Sequence, residues 1–227
     1  MQRLAQLDMH VQERVFLKDP ATTDLGRRII ERSIGLIDEL GFERFTFAKL
    51  AHALGTAESS IYRYFENKHL LLVYLIGWYW SWREYKLVFD TANIPDPKQL
   101  LERAIRSLAE PVEERGAFNH VDLRALYRIA KAESPKAYLV KEVDARGRDG
   151  HFSSFGRLCD RLRELILVVR RDHPFPAALA CTIAEGSLDL HFFHEHIPGL
   201  SGFGRKDRTA DFLLHVAQAS IAHRPRS

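Results

Sequence analysis

The sequence predicts an all-α protein with at least two functional regions. Apolar residues recur at helical spacing in successive segments, and the period-two alternation typical of half-buried strands is absent. Internal repeats are also absent, and glycine and proline fall between the periodic segments, where helices end. With 227 residues, 46% hydrophobic and 28% charged, the chain has the composition of an ordinary globular protein of one or two domains.

The first predicted elements are an arm and a helix. Residues 1–21 are expected to form an N-terminal arm that ends near Asp19 and Pro20, and they lack the uninterrupted apolar core of a signal peptide. A first helix is predicted over Asp24–Leu40. The hydroxyl of Thr23 suits the cap position before it, and an acid at its first residue complements the helix dipole.

The next segment, Phe45–Lys68, is interpreted as two short helices joined by a glycine turn. Apolar residues at i, i+3, i+4 and i+7 predict a helix over Phe47–Leu54. Thr46 stands at its N-cap position, and Gly55 follows it where a left-handed residue usually ends a helix. A second helix is predicted over Glu58–Phe65. Such a pair is typical of a helix-turn-helix unit.

The second helix of this unit has an apolar and a polar side. Ala57, Ile61 and Phe65 are expected to be buried, whereas Ser59 and Arg63 project from the opposite side. Ser59 and Ser60 are small enough to let the backbone approach base edges, and an arginine can bond to guanine. A short polar and cationic face of this kind suits the major groove of DNA.

The run Gly55–Lys68 resembles the DNA-binding domain of the TetR, or tetracycline-repressor-like, family of bacterial regulators. In that family the turn is followed by a small polar segment and an aliphatic residue, then tyrosine, any residue, an aromatic residue, phenylalanine and, three positions later, lysine. The matching residues here are Ile61, Tyr62, Arg63, Tyr64, Phe65 and Lys68. The likeness extends back through the first helix and Gly41-Phe42.

The resemblance implies a three-helix DNA-binding domain over residues 22–68 and a helical effector-binding and dimerisation domain over residues 69–227. It places Thr46, Tyr62 and Lys68 among the positions that contact phosphate. Together with the residues chosen from the helix face, the expected DNA-binding set is Thr46, Lys49, Ser59, Ser60, Tyr62, Arg63, Tyr64 and Lys68.

Bulk charge adds little to this interpretation. The chain has a net charge of +3, and residues 24–69 contain seven basic and seven acidic side chains. Any positive patch must therefore come from the arrangement of side chains on the surface. Glu58 and Glu66 are unfavourable near phosphates, so the alternative of a helical protein-interaction bundle that has lost DNA binding stays open.

A long fourth helix is predicted over Lys68–Phe89, and its aromatic residues are candidates for an effector site. Leu70–Trp82 is strongly apolar but too short to span a bilayer, which predicts a buried helix. The rings near one stripe of the helix are those of Trp78, Trp82, Tyr85 and Phe89. These rings can line an apolar ligand pocket, although packing in the core is the expected role for most aromatic residues of this helix.

Further helices are predicted at about residues 98–111, 121–133, 135–144, 151–172, 177–196 and 207–223. The penultimate helix is rich in alanine, glycine and serine, which let another helix approach closely, and the last helix is apolar. The resemblance implies that these two helices pair with their copies in a homodimer. Packing within one chain is the alternative.

Two other groups of residues are candidates for metal binding or thiol chemistry. His191, His194 and Glu195 share a helix face, which makes a metal-dependent enzyme an alternative, but a structural role is favoured because no second ligand pair of matching type appears in the sequence. Cys159 and Cys181 give no disulfide framework or metal pattern and suit a reducing cytoplasm as core thiols.

The sequence therefore predicts a cytoplasmic, homodimeric, ligand-responsive transcriptional regulator, with a repressor released from a palindromic operator by a small-molecule effector as the specific hypothesis. The expected partners are double-stranded DNA, a second copy of the chain and the effector. No catalytic residue, cofactor, metal or membrane association is expected, since a phosphate-binding glycine loop and a nucleophile motif are both absent from the sequence.

Overall fold

The computed structural model describes residues 15–112, 117–118, 121–138 and 152–223, and these are mostly helical. A short 3₁₀ helix, Pro20–Thr22, precedes the first α-helix. The helices are α1 (Asp24–Leu40), α2 (Phe47–Leu54), α3 (Glu58–Tyr62), α4 (Lys68–Asp90), α5 (Pro97–Ala109), α6 (Leu123–Tyr138), α7 (Ser153–Val169), α8 (Pro176–His196), α9 (Pro198–Ser201) and α10 (Thr209–Ala222). The predicted all-α fold class is confirmed.

The structure differs from the predicted elements in several places. The short helix α9 lies between the last two predicted helices, where no helix was expected. A two-residue antiparallel ladder, β1 (Ala117–Phe118) with β2 (Val121–Asp122), precedes α6, and its strands are too short to produce an alternating pattern. Helix α6 continues through Pro135, although proline cannot donate the hydrogen bond to the carbonyl four residues earlier. The part of the predicted 135–144 helix beyond residue 138 lies outside the described residues.

A further difference is the length of α3, the second helix of the helix-turn-helix unit. Helix α3 ends at Tyr62 instead of Phe65. The amides of Tyr64 and Phe65 both donate to the carbonyl of Ile61, at 2.9 and 3.2 Å, so the last residues form a turn.

Contacts divide the chain into two compact units. The first unit contains Met1–Trp82 and Val112–Phe155, and the second contains Arg83–Pro111 and Gly156–Ser227. Helices α4 and α7 each pass from one unit to the other. In this division the first half of α4 and all of α6 cluster with the helix-turn-helix, and the functional boundary at residues 68–69 stays a prediction.

In the first unit, the described end of the N-terminal segment is docked. The amide of Leu17 donates to the carbonyl of Tyr64 at 2.8 Å, and Val15 is completely buried. A Cβ atom on Gly26 would lie 2.3 Å from the carbonyl oxygen of Pro20, so only glycine lets the 3₁₀ helix sit this close to α1. Residues 1–14 of the predicted arm lie outside the described residues.

The core of the first unit joins α1, α2 and α3 to α4. Its fully buried side chains include Ile29, Ile34, Ile37, Phe45, Leu50, Ile61, Phe65, Leu71 and Leu72. Burial of an aliphatic or aromatic side chain of this size stabilises a fold by about 1.5–3 kcal/mol. The hydrophobic contacts, and not charge, therefore hold α3 in place.

In the second unit, α5, α8 and α10 pack against one another. The small residues of α8 serve this internal packing, because a Cβ atom on Gly186 would lie 3.2 Å from Leu213 of α10. Ala180, Ala184 and Ser187 of α8 are also buried within the chain. None of the helices in the described ranges is long and apolar enough to cross a membrane.

Candidate nucleic-acid interface

The turn between α2 and α3 is fixed by hydrogen bonds within the local sequence. The hydroxyl of Thr46 accepts from the amide of Lys49 at 3.2 Å and caps α2. At the other end, Gly55 has φ +64° and ψ +37°, and the amide of Thr56 donates to the carbonyl of Ala51 at 3.0 Å. Together with the bond from the Gly55 amide to His52, this is a Schellman motif, which needs a left-handed residue where glycine is best tolerated.

Helix α3 is seated by its apolar side chains and shows polar ones to the surface. Ile61 and Phe65 are completely buried, whereas Ser59 and Arg63 are exposed and Ser60 is half-buried. The ring of Tyr62 is 46% exposed and packs edge-on against Phe47, with 5.1 Å between ring centroids. Ile61, Phe65, Ser59 and Arg63 therefore lie as predicted, whereas Ala57, which was predicted to be buried, is exposed because it precedes the first turn of α3 as its N-cap residue.

Arg63 and Lys49 are the cations closest to this face in the sequence. Among the described residues, Arg63 forms no ion pair, so its guanidinium keeps all its donors for an external acceptor. Lys49 is exposed, and its ammonium donates to the carbonyl of Arg44 at 2.7 Å. The lysine side chain is thereby held near the start of α2 with donors remaining.

Tyr64, one of the predicted DNA-binding residues, lies inside the domain. Its side chain is 4% exposed, and its hydroxyl is 2.7 Å from the hydroxyl of Thr23, the N-cap residue of α1. This geometry gives the tyrosine a structural role in joining α3 to the start of α1. Its predicted contact with DNA would require the ring to leave the core.

Lys68, also predicted to bind DNA, is occupied by backbone acceptors. Its ammonium donates to the carbonyls of Phe42, Glu43 and Phe45 at 3.0, 3.1 and 3.2 Å. An ammonium has three N–H donors, so this set uses all of them. The lysine fastens the loop between α1 and α2, defined here as residues 41–46, to the start of α4.

Helix α6 holds the same loop from another side. Oε1 of Glu133 accepts from the amide of Phe42 at 3.2 Å. Lys136 lies 2.9 Å from a carboxylate oxygen of Glu43 and 2.8 Å from one of Glu133. The hydrogen bond and the positive charge of Lys136 lower the pKa of Glu43. The loop at the start of α2 is therefore bonded to α6.

A second contact joins α6 to α1. The guanidinium of Arg128 donates to both carboxylate oxygens of Asp38, at 2.8 and 2.7 Å. Paired bonds of this kind fix orientation as well as distance. The sequence pattern did not indicate these partners, because they are separated by about ninety positions and each is an ordinary polar residue of a helix surface.

The predicted effector residues differ in exposure, and their role in binding a ligand stays a prediction. Trp78 and Trp82 are buried, Tyr85 is half-buried, and Phe89 is 68% exposed. In the first unit a small cavity lies on another side of α4, and of the three tryptophans only Trp80 is found among its described lining residues. Helical spacing could not select this side, since aromatic residues surround α4.

The histidine group does not converge as a metal site. The ring of His191 is buried, with Nδ1 2.5 Å from a carboxylate oxygen of Asp207 and Nε2 2.8 Å from the carbonyl of Ala109. His194 is half-buried and Glu195 exposed. Among the described residues, no three His, Cys, Asp or Glu side chains are grouped to hold a metal ion.

The cysteines are free thiols in the second unit. Both are half-buried, and burial raises the pKa of Cys159 to about 12. Burial also raises the pKa of Cys181. Because the thiolate is the reactive form, these side chains are weak nucleophiles at neutral pH.

Comparison with known families identifies the helix-turn-helix. The family model described as bacterial regulatory proteins, tetR family, matches residues 29–75, which run from the core of α1 through α2 and α3 into α4. This part of the chain is therefore similar to the DNA-binding domain of TetR-family regulators. No curated protein sequence matches it.

Solved structures share this fold over most of the chain. The fatty acid degradation regulator FadR from Bacillus halodurans is 16% identical, with a TM-score of 0.58, and the match covers 91% of this chain and 99% of FadR. AibR, in complex with isovaleryl coenzyme A and operator DNA, is 19% identical, with a TM-score of 0.55 and coverage of 84% and 97%. A putative TetR-family regulator from Shewanella sp. PV-4 is 15% identical, with a TM-score of 0.52 and coverage of 91% and 100%. These likenesses concern the fold alone, and they extend well beyond residues 29–75.

Proposed function

We propose that this protein is a homodimeric transcriptional regulator of the TetR family that reads a palindromic operator and is released by a small-molecule effector, so that it acts as a repressor. The observation that carries the proposal is the recognition helix α3. Its apolar side is fully buried, and its exposed side presents hydroxyl groups and an arginine without an ion-pair partner among the described residues.

The base-reading roles follow from chemistry and exposure. Arg63 is assigned to a guanine, whose O6 and N7 accept a forked pair of hydrogen bonds in the major groove. Ser59 contacts a base edge, while Tyr62, Thr46 and Lys49 contact phosphates that position the helix. Tyr64 and Lys68 are assigned to the domain interior on the geometry above, so they support the reading surface without forming it.

A dimer is supported by apolar surface on the second unit. The large exposed hydrophobic residues of its described part are Val88, Phe89, Val168, Phe175, Ile197, Leu200 and Phe212. Phe212 lies on α10, which together with α8 is the proposed contact with the second copy. A two-fold dimer presents its two α3 helices to half-sites about one DNA turn, or roughly 34–36 Å, apart.

Control by a small molecule is supported by the contacts of α6, which connect the cavity beside α4 with the helix-turn-helix. Glu133 and Lys136 of this helix bond to the loop at the start of α2, and the next two residues, Ala137 and Tyr138, line the cavity beside α4. A ligand that displaces the last turn of α6 therefore alters the support of the helix-turn-helix. The structure of AibR with both an acyl coenzyme A and operator DNA gives a precedent for the two kinds of ligand.

The same proposal places the protein in the cytoplasm, where its operator is, and assigns it no enzymatic activity or metal.

A helical bundle that only binds other proteins is disfavoured by the exposed face of α3. A phosphate surface close to Glu58 and Glu66 is unfavourable, so the proposal also requires that these acids point away from the DNA backbone or bond to a base.

Selection of bound duplexes from a random pool tests the proposal. The purified chain is expected to enrich a palindrome whose half-sites are centred about one turn apart. The matched control is Phe212→Glu, which introduces a charge on α10 and is expected to leave α3 intact. If the protein binds DNA as a dimer through α10, Phe212→Glu is expected to enrich only single half-sites, and weakly. Absence of any enriched sequence with the wild-type chain, folded and free of ligand, would contradict the proposal.

A further inference from the structure

The cavity in the first unit lies between α4, the end of α6 and the start of α7. It has a volume of about 10 Å³, and its described lining residues are Val73, Ile76, Gly77, Trp80, Ala137, Tyr138, Phe152, Ser154 and Phe155. Its size matches at most one water molecule. Four of these nine residues are aromatic, and none of them carries a charge.

The aromatic rings of the wall are in contact with one another. The rings of Trp80 and Phe155 are 4.9 Å apart, and those of Tyr138 and Phe155 are stacked with centroids 6.3 Å apart and planes at 11°. Phe152 meets Tyr138 edge-on at 6.0 Å. Rings stacked in this way present flat apolar faces, which favour another flat ring over a branched aliphatic group.

Some buried polar groups on the elements that line the cavity have no hydrogen-bond partner among the described residues. One is the indole Nε1 of the lining residue Trp80, which is only 1% exposed, and another is the hydroxyl of Ser134. Ser134 precedes the lining residue Tyr138 by one helical turn. Ser153, between two lining residues, also has a buried hydroxyl without a partner. Proteins rarely leave such groups unsatisfied, because each one costs free energy of desolvation.

We infer that this cavity is the closed form of the effector site, and that its ligand is an uncharged, flat aromatic molecule carrying a hydrogen-bond acceptor. The acceptor bonds to Nε1 of Trp80. This inference rests on the proposed function for the meaning of the ligand as effector, and on the cavity itself for the ligand's chemistry.

Entry of the ligand requires that some rings of the wall move apart. Tyr138, Phe152 and Phe155 are half-exposed, whereas Trp80, Val73 and Ile76 are buried. Opening therefore occurs on the side of α6 and α7, where rings already meet solvent. A charged ligand is excluded, because an ion in an apolar site without a counter-charge loses its hydration.

Three naphthalene probes of similar shape test the chemistry. They are 2-acetonaphthone, which has a carbonyl acceptor, 2-ethylnaphthalene, which lacks it, and 2-naphthoate, which is charged. All three tryptophans of the chain lie on α4, so quenching of intrinsic fluorescence reports binding. The expected order of affinity is ketone, then hydrocarbon, then carboxylate, with the ketone favoured over the hydrocarbon about tenfold.

The variant Trp80→Phe removes the indole N–H and keeps an aromatic ring. It is expected to abolish the preference for the ketone over the hydrocarbon. Trp78→Phe is the matched control, because Trp78 is buried on the same helix but is not among the described lining residues, and it is expected to keep the tenfold ratio. The ranking of probes on the wild-type chain does not depend on how either variant folds.

Each other outcome overturns part of the inference. Absence of saturable quenching by both neutral probes would mean that the cavity holds only water. Tighter binding of the carboxylate would contradict the ligand class, and a ketone preference that persists in Trp80→Phe would contradict the role of the indole. The assay contains no DNA, so a failure of operator binding and a failure of this inference are recorded separately.

Discussion

The recognition helix and the aromatic cavity belong to the same compact unit, but their side chains are positioned by different means. Residues close together in sequence position α3. They form the cap on α2, the left-handed turn after α2 and the buried apolar side of α3. Around the cavity, Trp80 is brought together with Tyr138 and Phe155 from two other helices. The first site is specified by local chemistry and the second by packing over long range, which explains why one could be predicted and the other could not.

The largest expected effect on stability comes from removing a buried side chain that holds the recognition helix in place. Phe65→Ala deletes a completely buried ring that packs edge-on against Tyr74, with 5.5 Å between centroids. The free energy of unfolding is expected to fall by about 3–5 kcal/mol, as for other buried phenylalanines. Denaturant titration measures this change, and Phe89→Ala, at a 68% exposed position, is the matched control. Equal effects at the two positions would contradict the assigned burial.

Arg63→Ala removes the proposed reader of a guanine without touching the core. Preference at one base pair of each half-site is expected to fall by about 1–3 kcal/mol, while the unfolding free energy changes little because the side chain is exposed. Competition between duplexes that differ at single positions measures the change. Arg32→Ala, which removes an exposed arginine of α1, is the control. A uniform loss at all positions would assign Arg63 to a phosphate instead.

Lys68→Met separates the family-based expectation from the observed geometry. Loss of three bonds to loop carbonyls is expected to lower the unfolding free energy by about 2 kcal/mol. The slope of log affinity against log salt is expected to stay unchanged. A lysine that contacts phosphate would instead lower this slope by about one and leave stability unaffected. Thermal unfolding and binding at several salt concentrations distinguish the two roles.

The sequence therefore predicted the position of the helix-turn-helix and the exposed polar residues of α3, but it did not indicate the distant intramolecular partners of other residues in the predicted DNA-binding set. Tyr64 and Lys68 carry the family signature, but their polar atoms meet Thr23 and the carbonyls of the α1–α2 loop. Loop carbonyls have no sequence signal, because every residue carries one. A structural role in these intramolecular bonds is enough to explain why Tyr64 and Lys68 match the family signature.

The cavity was missed for a related reason. Three tryptophans and several other rings surround α4, so a periodic pattern cannot indicate which side meets a cavity. The chosen stripe included Phe89, which is exposed, and omitted Trp80, which lines the cavity. To identify the side of α4 that lines the cavity, the positions of α6 and α7 are needed, and these helices pack against α4 through contacts far apart in sequence.

The smallest expected effect concerns an ionic cluster of the second unit. Burial raises the pKa of Asp90, but bonds from Lys86 at 2.7 Å and Ser107 at 2.6 Å and the charge of Arg103 outweigh it, so the pKa is lowered. A lowered carboxyl pKa stabilises the fold above the ordinary pKa, and this contribution is lost as pH falls through the folded value. Asp90→Asn is expected to lower the unfolding free energy by about 1 kcal/mol at pH 7.

The sign of that effect is checked by acid. The difference between wild type and Asp90→Asn is expected to shrink as pH falls below the usual carboxyl range, because the wild-type side chain then becomes neutral as well. Urea titrations at neutral and acidic pH measure the difference. A difference that grows in acid would contradict the lowered pKa.

The most direct test of the account is a coupling measurement between Arg63 and a guanine of the selected half-site. Guanine is replaced by 7-deazaguanine, which lacks the N7 acceptor, and the affinities of wild type and Arg63→Ala are measured for both duplexes. If α3 lies in the major groove as proposed, the replacement weakens wild type and leaves Arg63→Ala unaffected, with a coupling of about 1–3 kcal/mol. Equal losses for the two proteins at every guanine would contradict major-groove reading by Arg63.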